Sequence, residues 1–524
     1  MRLLPLLLLA ACRPDADTTP DDTAPPAPGV PDEARLLAHV ATLASEAYGG
    51  REPGTPGGEL AAAYVEAHYQ GLGLAGAGDD GGFRRLFDLQ RFVVQAPPTL
   101  ALDGQALAEP DDFQLFTWSG AGQVEAEVVF VGYGLTVPPF DPAVYPGCPL
   151  NPEGYDDYQD LDLGGKVALV ARHGPSDDDA INDRCPVNEA GQADGDLFTF
   201  GYKAANAAQH GASAMLLFTD YVHPEGPAEA GTVGEGYYQP ELPAFFVDRG
   251  VLEAHLPELE AWAAAADAGP APVETGLHAA LSADTGIEAV EVPNVLAEIP
   301  GDGSTDEVVV VGAHFDHLGT GPGGEIYYGA DDNASGTAVV LELAELFMGW
   351  GVQPRRTVVF AAFNAEELGL IGSMRYIIDP PHPLADTVAM VNLDMVGGGD
   401  EQGVIDFGGL DEGSEWLYDL MVAHQDEAFP VTPLGSSPNS DHAFFQLAGV
   451  PVAFLFTVGV HPTYHSPEDT FDTISGWELQ QTARLTWDVV RELAMAQEAP
   501  AQARVLPPPI AEPVRRPAPG RPTR

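Results

Sequence analysis

Lysine is almost absent from this sequence of 524 residues, which has only Lys166 and Lys203. Arginine adds little, so 22 basic residues stand against 79 acidic ones and the formal net charge at pH 7 is −57. A phosphate-binding surface needs clustered positive charge, and this balance therefore argues against a nucleic-acid partner. Because salt screens repulsion between surface carboxylates, we interpret the acidic excess as a solvated surface suited to a salty exterior.

Cysteine is nearly as scarce, with Cys12, Cys148 and Cys185 as its only representatives. The last two lie in polar stretches rich in proline and aspartate, where no organised set of further metal ligands surrounds them. In an exported chain, two such cysteines within one domain are expected to form a disulfide. The sequence does not show whether their Cα atoms lie within reach of each other.

Long hydrophobic runs are also missing, and the apolar stretch within residues 1–11 is too short to span a bilayer. It predicts a signal peptide. The residues that end in Cys12 resemble a bacterial lipobox, which implies lipidation of Cys12 and a tether over residues 12–30. We therefore expect an exported protein that meets a membrane only through this anchor, as an outer-membrane or cell-surface lipoprotein of a Gram-negative bacterium. The alternative is a periplasmic or secreted protein.

The densest group of potential metal ligands begins after an apolar run over residues 308–311. The run predicts a buried strand of a parallel sheet, and His314 and Asp316 follow it. A glycine-rich loop then carries Asp332 into an apolar helical pattern. Because the carboxyl edge of such a sheet faces the crevice where α/β enzymes place their chemistry, this layout predicts a metal site.

Three more predicted strands lead into candidate ligands. They are residues 356–363 before Glu366 and Glu367, residues 388–393 before Asp394, and a strand within 447–456 before His465. Two imidazoles and three carboxylates suit zinc, and one bridging carboxylate would make a two-metal site that activates water. The other glutamate of the adjacent pair is then free to act as a general base.

Several neighbouring residues have simpler interpretations. Asp331 reads as a loop acid, and the pair Glu366 and Glu367, taken alone, would be ordinary acids at a helix N-terminus. Four other histidines occur singly, and we interpret them as surface or structural residues: His317, His424, His442 and His461. The metal-site interpretation depends on all the strand-end ligands occurring together.

Together these motifs resemble those of the co-catalytic di-zinc aminopeptidases, a group that includes bacterial secreted leucyl aminopeptidases and the glutamate carboxypeptidases. The matching stretches are Gly312–Asp316, Gly329–Gly336, Asn364–Gly369, Asn392–Gly397, Ser440–His442 and Tyr464–Ser466. The resemblance runs from about Asn294 to Ile474. It implies an α/β fold in which helices flank a mostly parallel central sheet, as in zinc exopeptidases.

The resemblance also implies a role for each ligand. Asp332 would bridge two zinc ions per chain. One ion would also bind His314 and Asp394, and the other would bind Glu367 and His465.

Three further roles follow from the same resemblance. Glu366 would be the proton shuttle, and Asp316 would orient His314. Tyr464 matches a tyrosine that helps to polarise the scissile carbonyl group in some members.

Residues 120–286 have a different pattern of short strands and one helix, and they resemble a protease-associated domain inserted in the peptidase. This smaller domain is expected to be β-rich α/β. The peptidase domain would then comprise an N-terminal part over 31–119 and the metal core over 287–498. Residues 499–524 are rich in proline and arginine, a composition typical of a disordered tail.

The leading functional prediction is hydrolysis of the N-terminal residue of peptide substrates. A carboxypeptidase could use the same metal core, although the scarcity of arginine around the motifs disfavours a pocket for acidic C-terminal residues. A catalytically inactive binding or receptor-like protein is the other alternative. The intact set of ligands and Glu366 argue against it.

Overall fold

The computed structural model describes residues 29–497 except 117, 160, 176–184, 186–198, 223–241, 322–323, 400–402, 411–412, 436–437 and 460. The predicted signal peptide, the proposed lipidation site Cys12 and the C-terminal tail therefore lie outside the described residues. Within the described ranges, every helix is too short or too polar to cross a membrane.

Nineteen strands are described. They are β1 (Ala75–Gly76), β2 (Arg84–Leu102), β3 (Gln105–Ala106), β4 (Phe113–Leu115), β5 (Gly122–Phe130), β6 (Thr136–Val137), β7 (Tyr155–Asp156), β8 (Val167–Ala171), β9 (Ala214–Phe218), β10 (Ala244–Val247), β11 (Val273–Ile299), β12 (Val308–His314), β13 (Gly319–Thr320), β14 (Ile326–Tyr327), β15 (Thr357–Phe363), β16 (Thr387–Leu393), β17 (Ile405–Gly408), β18 (Val431–Pro433) and β19 (Val452–Thr457).

The α-helices of the described residues are α1 (Glu33–Leu43), α2 (Pro56–Leu72), α3 (Phe200–Gln209), α4 (Arg249–His255), α5 (Leu259–Ala266), α6 (Gly336–Trp350), α7 (Ile371–Ile378), α8 (Glu415–His424), α9 (His442–Leu447) and α10 (Gly476–Met495). Their ends follow local rules. Before α2, for example, the hydroxyl group of Thr55 accepts a hydrogen bond from the amide of Gly58, and Pro56 occupies the first turn. The same helix ends at Gly73 in the left-handed conformation.

Fifteen strands form one sheet, in which β15, β12, β16 and β19 are consecutive parallel neighbours. All seven residues of β12 and all seven of β16 are buried, as expected for strands covered by helices on both faces. Because the four strands are parallel, the residues that follow them all lie at one edge of the sheet. The predicted α/β fold with a mostly parallel central sheet and flanking helices is confirmed.

Helices cover both faces of this part of the sheet. On one face, α1, α6 and α10 pack around a core in which the Phe347, Trp350 and Trp487 rings meet edge to face. On the other face, Tyr376 of α7 and Phe445 of α9 pack on Phe363 of β15. The packing of helices on both faces holds the strands in place, and with them the sheet edge at which the candidate ligands lie.

A long antiparallel ribbon joins this region to the inserted domain. β11 pairs with β15 over Val295–Ile299, with β2 over most of its length, and with β5 near its N-terminal end. The predicted boundary between residues 286 and 287 therefore falls inside β11. One strand belongs to both parts of the chain.

The inserted part continues the sheet through β5, β8, β9 and β10, which are parallel neighbours and have apolar cores of their own on both faces. Cys148 and Cys185 form a disulfide there, with their Cα atoms 4.8 Å apart. The buried ammonium group of Lys203 donates hydrogen bonds to the carbonyl oxygens of Tyr133 and His173. One of the two lysines thus stabilises the interior of the insert.

Candidate metal centre

The carboxyl edge of the parallel strands brings the predicted ligands into one buried cluster. His314 is the last residue of β12, and Asp394 follows β16 directly. Glu366 and Glu367 come shortly after β15, and His465 lies in the loop after β19. Asp332 belongs to a short helical segment, Ala330–Ser335, that precedes α6.

Asp332 lies between two imidazoles. Its Oδ1 atom is 3.4 Å from Nε2 of His314, and its Oδ2 atom is 3.2 Å from Nε2 of His465. Burial acts to raise the pKa of Asp332, but hydrogen bonds with His314 and His465 hold that pKa well below its usual range. One carboxylate with its two oxygens turned to two separate imidazoles has the layout of a bridging metal ligand.

Each imidazole also faces a second carboxylate. Nε2 of His314 lies 3.3 Å from Oδ1 of Asp394, and Nε2 of His465 lies 3.1 Å from Oε2 of Glu367. The ligand atoms of His314, Asp332 and Asp394 all lie within 4.8 Å of one another, close enough to hold one ion. The cluster thus consists of two imidazole–carboxylate pairs that share Asp332.

Glu366 lies beside the first of these pairs. Its Oε2 atom is 4.0 Å from Nε2 of His314, and its side chain is 10% exposed. Burial raises the pKa of Glu366 well above its usual range; the His314 imidazole opposes this shift, and the carboxylates of Glu367 and Asp394 add to it. A carboxyl group with a raised pKa is suited to accept and return a proton.

Asp316 connects three residues of the cluster. Its Oδ1 atom accepts a hydrogen bond from the amide of Glu366 at 3.2 Å, and its Oδ2 atom accepts one from Glu367 at 3.4 Å. The same Oδ1 lies 3.7 Å from Nδ1 of His314. Asp316 is therefore placed to orient His314 and to fix the turn that presents both glutamates.

Tyr464 contacts the cluster through its ring. The ring stacks on the imidazole of His465, with 3.8 Å between centroids and 19° between planes, and the residue is half exposed. This contact restricts the rotation of His465. Polarisation of a carbonyl group by the Tyr464 hydroxyl remains a prediction.

His317 is the residue that the sequence interpretation missed. It is fully buried, its Nδ1 lies 2.7 Å from Oε1 of Glu367, and it forms a possible metal-binding group with Asp332 and Glu367. Its ring also packs on Gly329, where a Cβ atom would come within 2.5 Å of the imidazole. Its position three residues after His314, at the same strand end, was the signal that could have identified it.

Asp331 and His461 are also more than surface residues, because they pair with each other directly beside Asp332. The carboxylate of Asp469 accepts hydrogen bonds from the amides of Asp331 and Asp332 at 2.9 and 3.0 Å. The Asp331 side chain is buried and pairs with Nδ1 of His461 at 2.8 Å. Burial opposes protonation of this imidazole, but Asp331 raises the pKa of His461 to about 9.

A hydrogen-bonded chain orients Asp394. The hydroxyl group of Ser440 donates to Oδ2 of Asp394 at 2.7 Å, which leaves Oδ1 turned toward His314. The amide group of Asn392 donates to the same hydroxyl at 2.7 Å. Next to Ser440, Asp441 is buried, and burial raises the pKa of its carboxyl group to about 7.

The chemistry of the donor set fits zinc. Imidazole nitrogen and carboxylate oxygen are ligands that zinc accepts, and they occur here in three overlapping groups. Sharing a buried site is unfavourable for so many carboxylates, and metal cations would offset this cost. Neighbouring side chains also hold most of these candidate ligands in place through hydrogen bonds and ring contacts, as is usual around metal ions in proteins.

Two family models match the chain in separate regions. Residues 294–490 match Peptidase family M28, and residues 137–255 match the PA domain. A probable leucine aminopeptidase of Arthroderma benhamiae is 32% identical over 212 residues, which are 39% of this chain and 58% of that protein. Aminopeptidase YwaD of Bacillus subtilis is 34% identical over 202 residues, 37% of this chain and 43% of that protein. The chain thus spans about half the length of these curated relatives.

Solved structures resemble nearly the whole fold. An aminopeptidase from Aneurinibacillus sp. strain AM-1 has a TM-score of 0.64 and 24% identity, covering 90% of this chain and 96% of that one. BSAP, a zinc aminopeptidase from Bacillus subtilis, has a TM-score of 0.59 and 22% identity, covering 91% and 98%. At such identities the likeness establishes the shared architecture. By the two family matches, residues 294–490 are similar to peptidase family M28, and a region similar to the PA domain precedes them.

Proposed function

We propose that this protein is a zinc-dependent aminopeptidase that removes N-terminal residues from peptides. The observation that carries the proposal is the position of Asp332, whose two oxygens face His314 and His465 separately. Relatives named as leucine aminopeptidase and aminopeptidase YwaD support this choice of reaction.

Two zinc ions per chain would fill the cluster. One would take His314 and Asp394, the other Glu367 and His465, and Asp332 would be common to both. When bound, such ions make a water molecule acidic and polarise the oxygen of the scissile carbonyl group.

Glu366 would handle the proton. It accepts one from the attacking water and delivers it to the leaving amine nitrogen, so a single carboxyl group acts first as base and then as acid. Its burial and raised pKa favour holding the proton between these two steps. Asp316 positions the Glu366 amide, which keeps the carboxyl group on the side of His314.

Carboxylates at the site support recognition of an N-terminus. A peptide's free α-amino group is cationic at neutral pH, and a carboxylate that does not serve as a zinc ligand attracts it. A substrate blocked at this amine would lose the attraction. Blocked peptides therefore separate an aminopeptidase from a carboxypeptidase of the same fold.

The location of the protein and its division into domains belong to the same proposal. We infer export by the signal peptide over residues 1–11 and lipidation at Cys12, with the tether over 12–30 leading to the folded part. The proposed parts are 31–119, 120–286 and 287–498, with the insert lying between two segments of the peptidase.

The decisive experiment measures hydrolysis of aminoacyl-nitroanilides by wild type and by Glu366→Gln, before and after chelation, together with zinc content. We expect zinc-restorable release by wild type and none by Glu366→Gln at equal zinc content. Acceptance of only N-terminally blocked peptides would instead indicate a carboxypeptidase. Zinc binding without hydrolysis of either class would leave the binding-protein alternative.

A further inference from the structure

Arg51 lies fully buried behind the metal centre, in the connection between α1 and α2. Its Nε atom donates to the carbonyl oxygen of Phe315 at 2.7 Å, and its Nη2 atom donates to that of Gly329 at 2.8 Å. Its Nη1 atom donates to the carbonyl oxygens of Tyr328 at 2.7 Å and Leu43 at 2.9 Å. Every one of these bonds ends on the backbone of a loop or helix end.

The accepting carbonyl groups belong to the two loops that carry ligands. Phe315 stands between His314 and Asp316, and Gly329 directly precedes the segment that contains Asp332. A single planar group therefore spans both loops and sets the distance between their backbones. The 3.4 Å separation of His314 Nε2 and Asp332 Oδ1 depends on that distance.

The local backbone is built to deliver this side chain. Gly49, Gly50 and Arg51 all have positive φ angles, of 50°, 73° and 55°. A Cβ atom at Gly50 would lie 2.2 Å from the carbonyl oxygen of Gly319, so only glycine allows this close approach. The strained conformation of Arg51 itself is maintained by the surrounding contacts.

Charge gives the guanidinium group a second effect. Burial lowers the pKa of Arg51 to about 10, and attraction to nearby acids, among them Asp469, Asp332 and Asp316, opposes that shift. The group therefore stays cationic at neutral pH. A buried cation behind several carboxylates offsets part of their repulsion in the absence of metal.

We propose that Arg51 is a positioning residue that holds the His314 loop and the Asp332 loop at metal-binding separation before any ion arrives. The expected effect of Arg51 on zinc affinity rests on the proposed function, whereas its hydrogen bonds to the two loops do not. Arginine suits this role because its rigid fork presents five donors in fixed directions. Lysine would keep the charge but could not reach both loops in the same geometry.

Arg51→Lys is the test variant, and Arg356→Lys is its matched control. Arg356 is also a buried arginine that donates to backbone carbonyl groups, those of Leu493 and Ala496. Arg356 directly precedes the N-terminal end of β15, whereas Glu366 follows its C-terminal end. The two residues are therefore about 20 Å apart at the usual rise of a strand. Both substitutions disturb a buried cation, but only one disturbs the metal centre.

The first readout is zinc retention against a chromophoric chelator. We expect Arg51→Lys to weaken retention about 10- to 100-fold, the usual effect of losing a residue that orients metal ligands, and Arg356→Lys to leave it unchanged. Equal retention by the two variants, with a similar fall in melting temperature, would overturn the proposal and leave Arg51 a purely structural residue.

The second readout is hydrogen exchange at residues 314–317 and 329–335 in zinc-free protein. Faster exchange of both loops in Arg51→Lys than in wild type or the control supports the proposal, and unchanged exchange overturns it. If Arg51→Lys fails to fold, hydrogen exchange of the wild-type protein is the test. The two loops must stay protected from exchange after zinc is removed, and loss of that protection overturns the proposal. Failure of wild type to bind zinc would refute the proposed function, while the exchange comparison would still test Arg51.

Discussion

The Nδ1 atom of His317 lies 2.7 Å from one carboxylate oxygen of Glu367, and the other oxygen of that carboxylate lies 3.1 Å from His465. Glu367 is therefore held between two imidazoles. With Oε1 engaged by His317, Oε2 is the oxygen that faces His465. In the proposed two-zinc site, His317 would thus select which oxygen of the glutamate is available to the second ion.

Replacing His317 by alanine should weaken that second zinc site. The Glu367 carboxylate would be free to rotate, and we expect a 10- to 100-fold loss of affinity for one of two ions. Zinc content measured after dialysis should fall from about two ions per chain to about one.

His424→Ala is the control for this prediction, because His424 also pairs with a carboxylate, that of Glu492, at 2.8 Å but on the surface. Two ions should remain in that variant. Full zinc content in His317→Ala would show that Glu367 needs no partner to bind metal.

Glu366→Gln should abolish turnover without removing zinc. The amide keeps the shape of the side chain but cannot accept a proton, and loss of a general base typically lowers kcat about 100- to 10,000-fold. Steady-state kinetics at saturating zinc would measure the change. A variant that loses zinc along with activity would reassign Glu366 to metal binding.

His461 should make stability depend on pH. Its pKa is raised to about 9 by Asp331, so the protonated form stabilises the fold fully below about pH 6.5, and this stabilisation is lost as pH rises through 9. The pKa difference corresponds to at most about 3 kcal/mol.

Denaturant unfolding of wild type and His461→Gln between pH 6 and 9.5 would measure this effect. The wild-type free energy of unfolding should fall over that interval, and the variant should show a flatter dependence. Parallel curves for the two proteins would place the pH dependence on other groups.

Ser440→Ala should lower zinc affinity less than Glu366→Gln lowers turnover, and only at the proposed ion site formed by His314 and Asp394. It removes the hydrogen bond to Oδ2 of Asp394 but leaves the ligand itself in place. We expect about a 10-fold loss of zinc affinity in chelator competition. Ser304→Ala, on an exposed loop, should show none, and an equal change in both variants would exclude a specific role for Ser440.

The sequence predicts the fold and the gathering of the candidate ligands at one sheet edge because these depend on local patterns. Each buried strand is a short apolar run, and a ligand-type residue follows it within a few positions or one loop. The predicted strand over 388–393 corresponds to β16 over Thr387–Leu393, and the predicted strand over 356–363 corresponds to β15 over Thr357–Phe363. Parallel pairing then places these strand ends at one edge.

Contacts between distant parts of the chain were not predictable in this way. Asp469 supports the amide of Asp331 across 138 residues, and Arg51 reaches Phe315 across 264. No periodicity relates such positions. The β2–β11 ribbon was missed for a different reason, since Pro97, Pro98 and Gly286 interrupt the alternation that would have indicated two long strands.

The shared strand β11 also constrains how this chain could be recombined. Any exchange of the insert for that of a relative must cut β2 and β11 at residues that face each other, such as Val93 and Gly286. A cut in one strand alone would leave the other with unpaired amide and carbonyl groups along its edge. The two strands can therefore be inherited or engineered only as a pair, and the insert carries its half of the ribbon with it.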